Sequence, residues 1–65
     1  MIRVESTSIS EIGYKGATLT VLFKSGRTYE YYDVPTTVWE GFKAAYSKGK
    51  YFASYIKNEY EYKEV

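Results

Sequence analysis

Apolar and polar residues alternate through the first half of the chain, and the period changes near Val34-Pro35. Between Thr18 and Phe23, the residues Leu19, Val21 and Phe23 point one way and Thr18, Thr20 and Lys24 the other. That is the two-residue repeat of a strand with one buried face. Leu22 departs from it on the outer face. Ile12-Gly13-Tyr14 opens the strand pattern, with Ile12 and Tyr14 on one face, and Lys15-Gly16-Ala17 reads as a turn. Past Ser25-Gly26 the alternation resumes from Arg27 to Tyr32, with Tyr29 and Tyr31 sharing a face.

The hairpin between the last two strands has two candidate registers. A two-residue Ser25-Gly26 loop pairs Lys24 with Arg27 and sets Tyr29 opposite Leu22 and Tyr31 opposite Thr20. A three-residue loop, Lys24-Ser25-Gly26, pairs Phe23 with Arg27, Val21 with Tyr29 and Leu19 with Tyr31. A slip of one residue moves every side chain to the other face, so a single buried face selects the register. Only the three-residue loop gathers the large groups on one side, and it asks Gly26 to take the left-handed position after a type I turn.

From Pro35 the repeat becomes helical. Val38, Phe42 and Ala45 recur at i, i+4 and i+7, flanked by Trp39 and Tyr46, and Pro35 suits a first helical position. The spacing predicts a helix over Pro35 to Tyr46 whose apolar face covers the sheet. Gly41 inside it costs roughly 1 kcal/mol against alanine, which close packing against a ring would explain. A second helix is predicted over Lys50 to Asn58, with Phe52, Tyr55 and Ile56 inward. Tyr60-Glu61-Tyr62 alternates and is read as a short edge strand beside Ile2-Arg3-Val4. Strands followed by helices define an α+β class: a small antiparallel β-meander of about three strands, with short edge strands from the termini, covered by two C-terminal helices. Residues 1–65 are read as a single domain.

Composition narrows what such a domain can do. Nine of 65 residues are tyrosine, while histidine and cysteine are absent. The side chains most used for metal ligation, nucleophilic attack and proton transfer near neutral pH are therefore missing. No disulfide can supplement a core of this size, so roughly three in four tyrosines are expected at the core or its rim. Ser6, Thr7, Ser8 and Ser10 lack a histidine base, and Glu30, Asp33, Glu40 and Glu59 form no defensible acid–base pair. The expectation is a binding module with no catalytic residue, no metal and no cofactor. The N-terminus has no apolar run resembling a signal peptide and no stretch spans a membrane, so a cytoplasmic location is expected. A net charge of +1 gives no broad basic footprint, and any anion site must be local.

One such site stands out. Ser47-Lys48-Gly49-Lys50 falls at the start of the second helix, with Ser47 as N-cap. Cations in a first helical turn are mildly unfavourable, yet two lysines, a glycine and free N–H groups are what an anion needs. A phosphate of RNA or DNA fits there, as does a carboxylate of a protein partner. The competing reading is a solvated Lys/Gly turn that joins two helices. Lys57, about two turns beyond Lys50, and Arg27 at the hairpin would extend the patch if the fold brings them near. Tyr29 and Tyr31 share the face of Leu19, Val21 and Phe23 and are expected under the first helix. Tyr32 points outward and is the candidate surface aromatic contact.

In order, the chain carries Ile12-Gly13-Tyr14, Leu19-x-Val21-x-Phe23-x-Ser25-Gly26, Tyr29-x-Tyr31-x-x-Val34-Pro35, Ala45-x-Ser47-Lys48-Gly49-Lys50-Tyr51-Phe52 and Ile56-x-x-x-Tyr60. This set resembles the KTSC domain, a family named for a segment at the C-terminus of some lysyl-tRNA synthetases and also found as single-domain bacterial and phage proteins. The resemblance covers nearly the whole chain. It carries over no residue-level activity, and its attachment to a tRNA-charging enzyme implies an accessory role in RNA binding. Two functions follow as expectations. One is binding of RNA or another phosphate-bearing partner through Ser47, Lys48, Gly49 and Lys50. The other is a protein-interaction module, a bacterial or phage adaptor, that uses the tyrosine-rich surface or a sheet edge.

Overall fold

The computed structural model describes residues 1–65 as one five-stranded antiparallel sheet with two helices on a single face. The strands are β1 (Ile2–Arg3), β2 (Ile9–Lys15), β3 (Thr18–Phe23), β4 (Thr28–Tyr31) and β5 (Tyr62–Glu64), and they lie side by side in chain order. Helices α1 (Thr36–Ala44) and α2 (Lys48–Tyr55) fill the connection from β4 to β5. None of the helices is long and apolar enough to cross a membrane.

Turn chemistry sets the registers. Gly16 and Ala17 both have positive φ, 56° and 67°, the geometry of a two-residue turn whose twist matches its strands. The β3–β4 hairpin has the expected three-residue loop: Leu19 pairs with Tyr31 and Val21 with Tyr29, and the Phe23 N–H donates to the Arg27 carbonyl at 2.9 Å. Gly26 sits at φ 97° and closes the loop with an N–H to the Phe23 carbonyl, also 2.9 Å.

Strand β2 starts three residues earlier than the alternation indicates. Ile9 and Ile12 are both fully buried, although an odd spacing in a regular strand puts side chains on opposite faces. A β-bulge between Ile9 and Glu11 absorbs the mismatch. The C-terminal strand also differs from expectation. It runs from Tyr62 to Glu64, and it pairs with β4, setting Tyr62 opposite Tyr31. It therefore forms the opposite edge of the sheet from β1, because the two helices return the chain to the β4 side.

Both helices are shifted or shortened. Pro35 is the N-cap of α1 rather than its first residue, and the helix ends at Ala44. Tyr46 lies beyond it, fully exposed and off the apolar stripe. Helix α2 begins two residues before the expected Lys50 and ends at Tyr55, which is exposed, while Ile56 caps it and is fully buried.

The core joins Ile9, Ile12, Leu19, Val21 and Tyr31 of the sheet to Val34, Trp39, Phe42, Phe52 and Ile56. Rings make the seam between the layers. Tyr14 stacks on Trp39 with centroids 5.3 Å apart, and its hydroxyl donates to the Val34 carbonyl at 2.6 Å. Tyr51 of α2 stacks on Phe42 at 5.7 Å and donates to the Val38 carbonyl at 3.3 Å. In that position it lies directly over Gly41, where an added methyl would come within 2.9 Å of the Tyr51 Cζ and overlap its hydroxyl. The helical glycine is thus required by a ring, as its helix cost suggested.

Gly41→Ala is accordingly expected to destabilise the fold by about 1–2 kcal/mol, because overpacking outweighs the gain in helix propensity. Urea denaturation should show this loss, and adding Tyr51→Phe should reduce the effect of the alanine below that in the native background.

Candidate functional site

The two helices cover the sheet incompletely. Over the ends of β3, β4 and β5 lies an open cleft of about 530 Å³. Its apolar floor consists of Phe23, Tyr29, Tyr31, Phe52 and Tyr62. Phe52, on the inner face of α2, meets Tyr31 edge-on at 5.5 Å and Phe23 at 5.4 Å. Tyr29, Tyr31 and Tyr62 form a triangle, with centroid separations of 6.4, 5.8 and 5.5 Å. Tyr31 does face the helical layer, but its ring partner there is Phe52 of α2 and not the first helix, while the ring partners of Tyr29 are Phe23, Tyr31 and Tyr62 within the sheet.

The rim is polar and of one sign. Lys24, Arg27 and Lys57 line it, and no carboxylate does. Three cations at one opening are a concentrated charge in a chain whose net charge is +1. Arg27 leans 3.6 Å from the Glu64 carboxylate, both side chains being largely exposed. Such a pair is worth at most about 1 kcal/mol, so an incoming anion can displace Glu64 cheaply. Ser8 and Asn58 add uncharged hydrogen-bonding groups to the wall.

Tyr31 is the unusual member of the floor. It is 4% exposed, yet its hydroxyl takes no part in a side-chain hydrogen bond, unlike those of Tyr14 and Tyr51. No buried polar side-chain atom lacks a partner, so this hydroxyl must reach the open space of the cleft. Burial and the neighbouring Tyr29 and Tyr62 push its pKa from the ordinary 10.0 up to about 12. The phenol therefore stays neutral and able to donate across the physiological range.

The inter-helix corner has a different character from that expected. Ser47 does cap α2, its Oγ accepting from the Lys50 N–H at 3.3 Å. The Lys48 ammonium donates to the Ala45 carbonyl at 2.6 Å, placing a cation at the negative end of α1. The lysine that disfavours the start of α2 thus stabilises the end of α1. Gly49 packs towards Ser8, whose Oγ would lie 3.4 Å from an added methyl, and Lys50 is exposed. Arg27 and Lys57, expected as extensions of this corner, instead share the aromatic cleft. Tyr32 lies on the outer face, its hydroxyl donating to the Glu30 Oε1 at 3.0 Å. Partial burial, with the Glu30 carboxylate beside it, raises its pKa. Tyr32 borders a second depression that also holds Glu59 and Glu61, a setting hostile to phosphate.

Lys24, Phe23, Phe52 and Tyr62 were not singled out from the sequence. Phe23 precedes the hairpin loop, Lys24 opens it and Arg27 follows it, so the register assigned there already brought them to one end of the sheet. Tyr62 required the pairing of β5 with β4, which the alternation could not supply.

A one-sided α+β sheet with a basic, aromatic cleft is the class that this geometry defines. The chain belongs to the KTSC domain family, whose profile matches residues 5–60. It is similar to a lysine–tRNA ligase of Trichormus variabilis, 40% identical over 67 residues, which covers 100% of this chain and 12% of that protein. A protein of Tsukamurella paurometabola is 39% identical over 56 residues, 83% of this chain and 84% of its own length. The crystal structure of a KTSC domain protein from Yersinia pestis superposes with a TM-score of 0.94 at 32% identity, over 97% of this chain and 92% of that one. The chain thus spans only 12% of the length of the lysine–tRNA ligase that it matches.

The Tyr31 phenol makes alkaline stability a check on this site. A folded-state pKa above the unfolded value means that the neutral form favours the fold, with the contribution intact below about pH 10 and lost as pH rises towards about 12. Native Tyr31 should therefore show a steeper stability loss across that window than Tyr31→Phe, measured by denaturation at fixed pH values.

Proposed function

We propose that this domain is a non-catalytic binding module for single-stranded RNA, and that the cleft over β3, β4 and β5 is its binding face. The observation that carries the reading is the coincidence of an aromatic floor with three rim cations and no rim carboxylate. Sequence-tolerant single-strand binders combine the same two elements: rings on which bases stack, at about 1–3 kcal/mol per base, and a positive groove for the backbone. Phosphates engage Lys24, Arg27 and Lys57, while bases meet the exposed faces of Tyr62 and Tyr29. Lys50 extends the positive surface beyond α2, whereas Ser47 and Lys48 serve mainly the helix ends. The similarity to lysine–tRNA ligases supports RNA over other polyanions, since those relatives are named for a tRNA substrate.

A second reading, a protein-interaction surface, draws on one specific observation. Tyr46 stands wholly exposed between the helices, and exposed tyrosines are favoured at interface centres.

A salt titration separates the two. With three phosphate contacts on a single strand, log affinity should fall against log salt with a slope of about −2, at about −0.7 per phosphate. Lys24→Ala and Lys57→Ala should each flatten the slope by about 0.7, whereas Tyr46→Ala should leave it unchanged. A slope untouched by the two lysine variants would remove the cleft from the contact surface.

A further inference from the structure

The hydroxyls of Tyr14 and Tyr51 are taken up by backbone carbonyls. Tyr31 is only 4% exposed, yet its hydroxyl makes no protein hydrogen bond and is open to the cleft that the residue lines. Its ring is held edge-on by Phe52, stacked against Tyr29 and tilted at 32° against Tyr62. A rigid ring therefore fixes a neutral donor at the floor of a basic-rimmed opening. Phosphate recognition alone has no use for such a group, because the rim already carries the cations. A planar ligand part that reaches the floor can stack on Tyr62 while its edge meets the phenol.

We propose that Tyr31 is a specificity-determining residue: its hydroxyl donates to a carbonyl on the edge of an unpaired base inserted on the Tyr29–Tyr62 platform. This deepens the preceding reading and rests on it. Uracil and guanine present such carbonyl acceptors, whereas a base locked in a duplex cannot bring its edge to the floor. Asn58 on the wall offers both a donor and an acceptor to the same opening. The hydroxyl bonds nothing in the protein, so Tyr31→Phe removes the proposed contact without breaking an internal one.

The test compares two probes of equal length, hexauridylate and a hexamer of the same backbone whose residues are abasic, with native protein and with Tyr31→Phe. Native protein should bind hexauridylate at least about tenfold more tightly than the abasic chain. Tyr31→Phe should weaken hexauridylate binding about fivefold while leaving the abasic chain and the salt slope unchanged. Equal affinity for both probes in native protein would overturn the base-reading role while leaving the phosphate reading intact. A Tyr31→Phe variant that binds both probes as native protein does would also overturn it. Absence of binding to either probe would overturn both proposals. Should Tyr31→Phe prove unstable, Tyr62→Ala, at an exposed edge position, should produce the same selective loss of hexauridylate, and an unselective loss would count against the proposal.

Discussion

The contact between the aromatic rings of the sheet and those of the helices is the interaction on which the rest of this domain depends. Helices of nine and eight residues are only about 13 and 12 Å long, and the five strands span about 19 Å. A cover that small cannot bury the whole inner face with aliphatic side chains. Long flat rings bridge the gap: Tyr14 reaches Trp39 and Phe52 reaches down to Phe23 and Tyr31, while Tyr51 on Phe42 joins the two helices to each other. Where the helical layer ends, the same set of rings continues into solvent as the floor of the cleft. Core and candidate site are one aromatic system, divided only by the edge of α2.

Tyrosine suits this arrangement because its polar tip can be used in two ways. The phenols of Tyr14 and Tyr51 tie the sheet and α2 to backbone carbonyls on either side of the α1 start, at Val34 and Val38. These bonds fix the angle at which the helices leave the sheet, and Gly41 lets Tyr51 come close enough to make its own. The phenol of Tyr31 is left for the cleft. A phenylalanine at positions 14 or 51 would remove a bond between elements, whereas at position 31 it would break no internal one. Two inward hydroxyls thus help tie the layers together, and that of Tyr31 stays free of internal bonds.

Much of the fold was legible in the sequence, and the parts that were not share a cause. The β3–β4 register followed from placing Val21, Tyr29, Leu19 and Tyr31 on one face, a local constraint that tertiary contacts had no reason to override. The Gly41–ring contact followed from the cost of a helical glycine, and the Ser47 cap from its position. The start of β2 was hidden by a bulge, which breaks the two-residue repeat that identifies a strand. The position of β5 was hidden because pairing between chain-distant segments leaves no periodic trace. Arg27 and Lys57 were expected to extend the Ser47–Lys50 corner if the fold brought them near it, and they line instead the cleft over the rings at the sheet end. Lys48 was read only as an anion ligand, and its bond to the end of α1 was hidden because it depends on how closely the two helices abut, which no local pattern reveals.

The central claim is that the rings left uncovered at the β4–β5 side are the surface that receives a nucleic acid. Ring proton resonances observed by NMR during titration with a short single-stranded RNA address it most directly. Resonances of Tyr29, Tyr31, Tyr62 and Phe52 should shift progressively while those of the Tyr14–Trp39 stack and the outer-face Tyr32 stay in place. Shifts confined to Tyr32, or to the Ser47–Lys50 corner with the cleft rings unmoved, would contradict it.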